Sequence, residues 1–445
     1  MTFPKDFVWG TATASYQIEG AAMQEGRGEC IWTRFSHTPG KVKHGHTGNI
    51  ACDHYHRYPE DVALMQSLGV HAYRFSISWA RLIPNGTGAV NQAGLDFYSR
   101  LIDKLLEAGI TPFATLYHWD LPQALEDQGG WANAAMPDWF ADYATLAAKQ
   151  YGDRVKHWIT LNEPWCTAFL GYMFGVHAPG VRDEKAAFRA AHHTHLAHGR
   201  AMQVLRAEVP NALAGTTLNV VPHEPATDDP RDVQMAHIAD GLQNRWFLDP
   251  VFKGCYPSDV AAHLTSRGVL DGIDLDAVSL AAQPADFVGL NYYMRWLIRH
   301  DPNNPENYLT ELPADAQLTH MGWEVYPQGL RDALLRLHRD YAPPAIYVTE
   351  NGAAYPEPDQ VTGDVLEDPE RVAFLKGYLG AAAEAMAQGV PLKGFFVWSL
   401  LDNFEWAEGY TKRFGIVHVD FATQKRTLKR SALYLKQIIE TGELS

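Results

Sequence analysis

The sequence has little that would send it to a membrane, a nucleic acid or an oxidising compartment. Its four cysteines, Cys30, Cys52, Cys166 and Cys255, form no C-x-x-C pair. They read as free thiols in a reducing cytoplasm. No apolar run is long enough to span a bilayer, and the N-terminal MTFPKDFVWG lacks the basic-then-apolar order of a leader. Positive charge is scarce, with 37 Lys and Arg against 52 Asp and Glu and a formal net charge of −15. That balance disfavours nucleic acid, an anionic membrane or a polyanionic substrate, and suits a neutral one. There is no glycine-rich phosphate loop and no G-x-S-x-G elbow. Low-complexity tracts, linkers and repeats are missing too, so residues 1–445 are expected to form a single domain.

What is present is a large core and a heavy aromatic load. Hydrophobic residues make up 46% and charged residues 20%, the balance of an ordinary globular chain, with 13 Trp, 20 Tyr and 19 Phe. Short apolar runs alternate with helical patterns. Strands are expected at 7–14, 70–78, 111–118, 157–162, 213–219, 285–293, 344–350 and 393–400. Helix-like stretches lie at 58–69, 93–109, 137–152, 186–208, 327–341 and 368–389. Several of them begin at Pro or Asp and end at Gly, the usual cap asymmetry. The segments SLGVHAYRFS, EAGITPFATL and AQGVPLKGFF repeat one join: helix, Gly, short turn, buried strand. Eight parallel strands with crossover helices predict an α/β fold, a single (β/α)8 TIM barrel with elaborated βα loops.

In such barrels the chemistry sits at the C-terminal strand ends. Polar residues occupy those ends here: Gln17, Arg74, His118, Asn162 with Glu163, Asn219, Asn291 to Tyr293, Glu350, and beside them Trp398. Any one of these is explained by a turn; the set is not. ITLNEPW runs an apolar strand outward and ends it on an amide and a carboxylate, where Pro164 has no N–H to continue the ladder. IYVTENG does the same. Glycosidic bonds break when one carboxyl protonates the leaving oxygen and a second attacks or stabilises the anomeric carbon. Glu163 and Glu350 are the two candidates. Arg74 is placed to hold Glu350 ionised, with Tyr293 donating a further hydrogen bond. Glu163 lacks a cation, and a neighbouring anion would raise its pKa, as a general acid requires. Asn162 is placed to bond the sugar's 2-OH. The plain alternative is a pair of salt-bridged structural glutamates.

TLNEPW and YVTENGAA resemble the acid/base and nucleophile motifs of glycoside hydrolase family 1, the β-glucosidase family. FVWGTATASYQIEGA, YRFSISWARLIP, TLYHWDLPQAL, FVGLNYY and VWSLLDNFEWAEGYTKRFGIVHVD follow the family's order, so the resemblance covers nearly the whole chain. It implies a TIM barrel, a retaining double displacement and no cofactor. By resemblance Glu163 is the acid/base and Glu350 the nucleophile. Gln17, His118, Asn162 and Glu405 are glycone ligands, Trp398 is the floor and Trp406 a further donor. Asn291 and Tyr293 orient the nucleophile and the 2-OH side, and Trp323 is a wall of the leaving-group site. These types suit a sugar, whose hydroxyls want paired donors and acceptors and whose C–H face wants a flat ring.

Glu163 stands where myrosinase-like members carry Gln, and Glu405 stands where members cleaving 6-phosphorylated sugars have lost the carboxylate. The expectation is an exo-acting β-glucosidase for a small neutral β-glycoside or a disaccharide such as cellobiose, open to β-galactosyl and β-fucosyl groups as well. Two other readings stand beside it: an endo-acting β-1,4-glycanase of a related barrel, and a sugar-binding barrel without activity. The segment from His300 to Gly322 reads as a rim insertion that narrows a pocket, which favours exo action. HHTHLAH spaces His192, His195 and His198 for zinc, but no carboxylate or cysteine completes a site, so no metal is expected. His54 and His56 read as a packed helix start. Cys166 has no His partner and reads as packing.

Overall fold

Runs that are apolar on both faces cannot sit at a solvated sheet surface, and here eight of them close on one another. In the computed structural model, which describes residues 2–304 and 307–444, they are β1 (Val8–Ala12), β2 (Ala72–Ser76), β3 (Thr111–Tyr117), β4 (His157–Asn162), β5 (Leu213–Asn219), β6 (Phe287–Asn291), β7 (Ile346–Asn351) and β8 (Leu392–Trp398). Their order around a closed barrel is β1, β8, β7, β6, β5, β4, β3, β2. Every pair is parallel. All eight expected strands are present, and the fold is the (β/α)8 barrel.

The six expected helices form at His54–Leu68, Gln92–Glu107, Met136–Tyr151, Glu184–Glu208, Pro327–Tyr341 and Pro369–Ala387. The helix at Gln92–Glu107 shows why: Leu95, Tyr98, Leu101, Ile102 and Leu105 recur at helical spacing and are all buried. The repeated helix-to-strand join has one cause. Gly69, Gly109 and Gly389 have φ of +74°, +74° and +94°, left-handed values that end the helix and turn the chain back into the barrel.

Phe113, Phe287, Tyr347 and Phe396 fill the barrel's interior, with Phe113 4.9 Å from Phe396 and Phe287 5.3 Å from Tyr347, ring centre to ring centre. This aromatic plug fills the barrel's interior, and the βα loops stand at its C-terminal mouth. The βα loops there carry two additional three-stranded sheets. One joins His223–Pro225, Trp296–His300 and Tyr308–Glu311; the other joins Val365–Leu366, Arg426–Lys429 and Val417–Val419. Neither was expected, because such short strands carry no long apolar alternation. Helices at Pro230–Asp240, Trp246–Lys253, Ser258–Ser266 and Arg430–Thr441 were likewise not expected. No helix among the described residues is long and apolar enough to cross a membrane.

Candidate active site

Arg74 organises the barrel mouth. Expected at the end of its strand, it lies in the middle of β2 and points into the barrel. Its Nη1 donates to Glu350 Oε1 at 2.6 Å and to the Thr349 carbonyl at 3.1 Å; Nη2 donates to Asn162 Oδ1 at 2.5 Å. Because a guanidinium can only donate, the Asn162 oxygen must face Arg74, and its amide nitrogen therefore faces His118 Nε2 at 3.0 Å. His118 accepts there, which places its proton on Nδ1. Burial, then the charge of Arg74, hold its pKa well below the usual value, so the ring is neutral. Its Nδ1 is buried and has no partner, and neither has Gln17 Oε1. One donor and one acceptor are thus left for a bound polyol.

The two carboxyls sit in unlike surroundings. Glu350, within β7, accepts from Arg74 and, on Oε2, from the Tyr293 hydroxyl at 2.7 Å. Glu163, one residue beyond β4, accepts from Asn291 Nδ2 at 2.7 Å and from the Cys166 thiol at 3.1 Å. Thr349 fixes Asn291 by donating to its Oδ1 at 2.8 Å. Burial, and then the charge of Glu350, push Glu163 up to about 7. The neighbouring anion expected from the sequence is thus real but secondary to burial. Glu350 is also raised: burial outweighs Arg74, which corrects the expectation that its cation would dominate. Within the pair, Arg74 and Tyr293 touch Glu350 alone, so the anion rests there.

Three non-glycine residues of the cavity wall, Trp119, Glu163 and Trp406, have φ of +73°, +47° and +47°. Left-handed backbone costs a side-chain-bearing residue about 1–2 kcal/mol, and such strain gathers at functional sites. The chain holds Glu163 there through its N–H to the Thr217 carbonyl at 2.9 Å. Gly352 serves close approach instead. A Cβ at that position would lie 1.6 Å from the Trp398 carbonyl oxygen, so only glycine lets β7 and β8 close beside Glu350.

The cavity holds about 480 Å³, ordinary for a small-molecule site. His118, Glu163, Asn291, Tyr293, Trp323, Glu350, Trp398, Glu405 and Trp406 line it, as the sequence places them. Gln17, Arg74 and Asn162 stand behind that wall. Gln17, on the short helix Ser15–Ile18, donates to the Phe404 carbonyl at 2.9 Å and to Glu405 at 3.3 Å. Trp119, Trp165, His177, Met321 and Phe414 also line the cavity and were not expected. Trp119 lies 4.7 Å from Trp406, ring centre to ring centre, with the planes tilted by 38°; its place directly after His118 was the available signal. Cys166, expected as packing, lines the cavity as well.

Glu405, expected as a glycone ligand, lies in the cavity wall with Glu163 and Glu350. Burial, and then Glu350, push it up to about 8, so before a substrate binds it carries a proton at neutral pH. No Lys or Arg lines the cavity among the described residues. Of the His300 to Gly322 segment, whose Pro305 and Glu306 lie outside the described residues, Met321 alone borders this cavity. Asn304, Asn307 and Tyr308 border a neighbouring hollow of about 330 Å³ instead.

The histidine run makes no common site. His192 and His195 bond Tyr256, His193 bonds the Trp131 carbonyl and His198 bonds Thr160. Glu357, Asp402 and His418 do come together. There, however, the Lys429 ammonium lies 2.6 Å from Glu357 and 2.7 Å from Asp402, where a metal would sit.

Residues 1–444 match the family model of glycosyl hydrolase family 1. The chain is 50% identical to β-glucosidase A of Thermotoga maritima over 99% of its length and 98% of that protein's. It is 43% identical to a bifunctional β-D-glucosidase/β-D-fucosidase of Bifidobacterium breve, over 99% of its own length and 98% of that protein's. The fold superposes on the Thermotoga maritima β-glucosidase in complex with deoxynojirimycin with a TM-score of 0.96 at 49% identity, covering all of both chains.

Proposed function

The chain belongs to glycosyl hydrolase family 1, and from that premise we propose how its cavity works. It is a β-glucosidase, an O-glycosyl hydrolase that removes a terminal β-D-glucosyl residue from the non-reducing end. The single observation that carries the assignment of roles is the placement of Arg74, which contacts Glu350 and not Glu163. The site's anion therefore rests on Glu350, the nucleophile, and its proton on Glu163, the general acid.

The reaction follows as a retaining double displacement. Glu350 attacks the anomeric carbon while Glu163 gives its proton to the leaving oxygen, and an α-glycosyl ester forms on Glu350. Glu163, now ionised, takes a proton from water, which attacks the same carbon and releases glucose with the β configuration. Gln17 Oε1, His118 Nδ1–H and Glu405 hold the glycone hydroxyls. Trp398 lies under its C–H face and Trp406 donates from the rim. Asn162 and Asn291 serve the 2-OH side, and Trp323 faces the leaving group. Cellobiose and other small neutral β-glycosides fit, and the Bifidobacterium breve relative supports tolerance of a fucosyl group. Residues 1–445 act as one catalytic unit, since Gln17 and Glu405, 388 positions apart, bond each other. The free thiols Cys30, Cys52, Cys166 and Cys255 fit a reducing cytoplasm.

Azide decides the roles. Glu350→Gly opens a gap on the α face, and azide there is expected to restore turnover of an activated glucoside as the α-glycosyl azide. Glu163→Ala keeps the nucleophile, so with the activated glucoside, whose leaving group needs no proton, the ester still forms and azide is expected to give the β-glycosyl azide. Swapped anomers, read from the proton NMR coupling, would mean swapped roles. A wild type releasing α-glucose first would replace retention by inversion.

A further inference from the structure

We propose that Cys166 is a positioning residue for the general acid/base: its S–H donates to Glu163 Oε2 and holds the carboxyl plane in the orientation that delivers a proton to the leaving oxygen. The proposal rests on the reading of Glu163 given above.

The geometry is that of a carboxyl held from both sides. Oε1 accepts from Asn291 Nδ2 at 2.7 Å, and Oε2 lies 3.1 Å from Cys166 Sγ. The sulfur accepts in its turn from Asn219 Nδ2 at 3.8 Å, so donors run in sequence from Asn219 at the end of β5, through Cys166, to Glu163. The backbone locks the two partners together. Cys166 N–H donates to the Glu163 carbonyl at 2.9 Å, closing a tight turn over Pro164 and Trp165. This turn keeps the two residues side by side, and the contact from Asn219 favours the rotamer that sets the thiol against Oε2. The titratable and charged groups that face Glu163 are Glu350 from β7, Arg74 from β2, Tyr293 after β6, Glu405 after β8, His118 after β3 through Asn162, and Cys166 itself. Cys166 is the one whose proton meets Oε2. Burial and the two nearby charges keep this thiol far above its usual range, so it remains an S–H donor throughout the working pH. A donor to the ionised form opposes the burial that raises Glu163. A soft, weak donor suits a group that must both release and recover a proton in each turnover.

Full-length Cys166→Val and Cys166→Ser variants test this. Valine removes the donor and excludes water from its place; serine keeps an O–H. For nitrophenyl β-glucoside, the alkaline limb of kcat/KM in the valine variant is expected to move up by about half a pH unit, with the acid limb in place. Serine is expected to bring it at least halfway back. With cellobiose, whose leaving group needs the proton, the valine variant is expected to lose about 10-fold in kcat/KM, which reports the ester-forming step, while kcat/KM for 2,4-dinitrophenyl β-glucoside stays at the wild-type value. The proposal is overturned if both variants keep the wild-type alkaline limb, if serine behaves as valine, or if the two substrates lose rate equally. Azide rescue of Glu163→Ala tests the acid/base role separately, so the two failures are distinguishable.

Discussion

Two buried acid clusters lie within one loop of each other and have opposite character. In the catalytic mouth, Glu163, Glu350 and Glu405 lie together, and of the three Arg74 bonds Glu350 alone. Beside it, Glu357, Asp368 and Asp402 are met by three cations. Arg371 lies 2.7 Å from Glu357 and 2.5 Å from Asp368, Arg413 2.9 Å from Asp402, and Lys429 between Glu357 and Asp402. Burial acts to raise Glu163, Glu350 and Glu405 in the one and Asp402 in the other. In the mouth it prevails, and Glu163 and Glu405 reach about 7 and about 8. In the second cluster Lys429 and Arg413 overcome it, and Asp402 is held below the ordinary carboxylate range. The difference in cation supply separates machinery from scaffold. A site short of cations keeps protons available near neutral pH; a saturated network only holds structure. Asp402 also accepts from the Gly415 N–H at 3.0 Å, and so anchors the same loop that carries Glu405 and Trp406.

The strongest way to break this contrast is to remove the site's anion. Glu350→Gln is expected to lower kcat/KM by roughly 10⁴-fold or more, the loss that the nucleophile's role proposed for it entails. Because the charge of Glu350 helps raise Glu163, the same variant should titrate Glu163 at lower pH, which carbon NMR of the labelled carboxyl can follow. An unchanged titration would mean that burial alone sets it.

The next effect is on stability. Lys429→Met leaves two buried carboxylates without their shared cation and is expected to cost about 3–5 kcal/mol, read as a lowered Tm. Arg74→Met is expected to cost less stability, because Glu350 can take up a proton, while activity falls far more. If the two variants lose equal stability, the distinction between the clusters is wrong.

The smallest effect is a slope. Carboxyls raised in the folded state bind more protons there than when unfolded, so stability falls as pH rises from about 4.5 through their folded pKa values. Glu163 and Glu405 therefore predict a decline of Tm between about pH 5 and 8. Asp402, depressed in the fold, has the opposite sign: its contribution is present above about 4 and is lost only as pH drops further. Glu405→Gln is expected to flatten the decline above about pH 5 and leave the acid side as it was. A slope identical to wild type would show that Glu405 is ionised in the free protein.

The sequence by itself determined the barrel and most of its mouth. Strands buried on both faces are mostly apolar, so the eight stand out, and the join through Gly69, Gly109 and Gly389 repeats because those three helices turn back on left-handed backbone. Glu163 and Glu350 were legible because a charge ending such a strand has no packing reason to be there. Tertiary structure alone decided how these groups behave. Arg74 meets Glu350 across 276 positions and Gln17 meets Glu405 across 388, and no local pattern encodes either pairing. Whether burial or a cation sets a carboxyl's pKa depends on which charges arrive from other strands, so the protonation of Glu405 could not be read from its neighbours in the chain. Cys166 could not either. A thiol looks the same in sequence whether it fills space or donates to the carboxyl of an acid, and only the turn over Pro164, closed inside a packed barrel, tells the two apart.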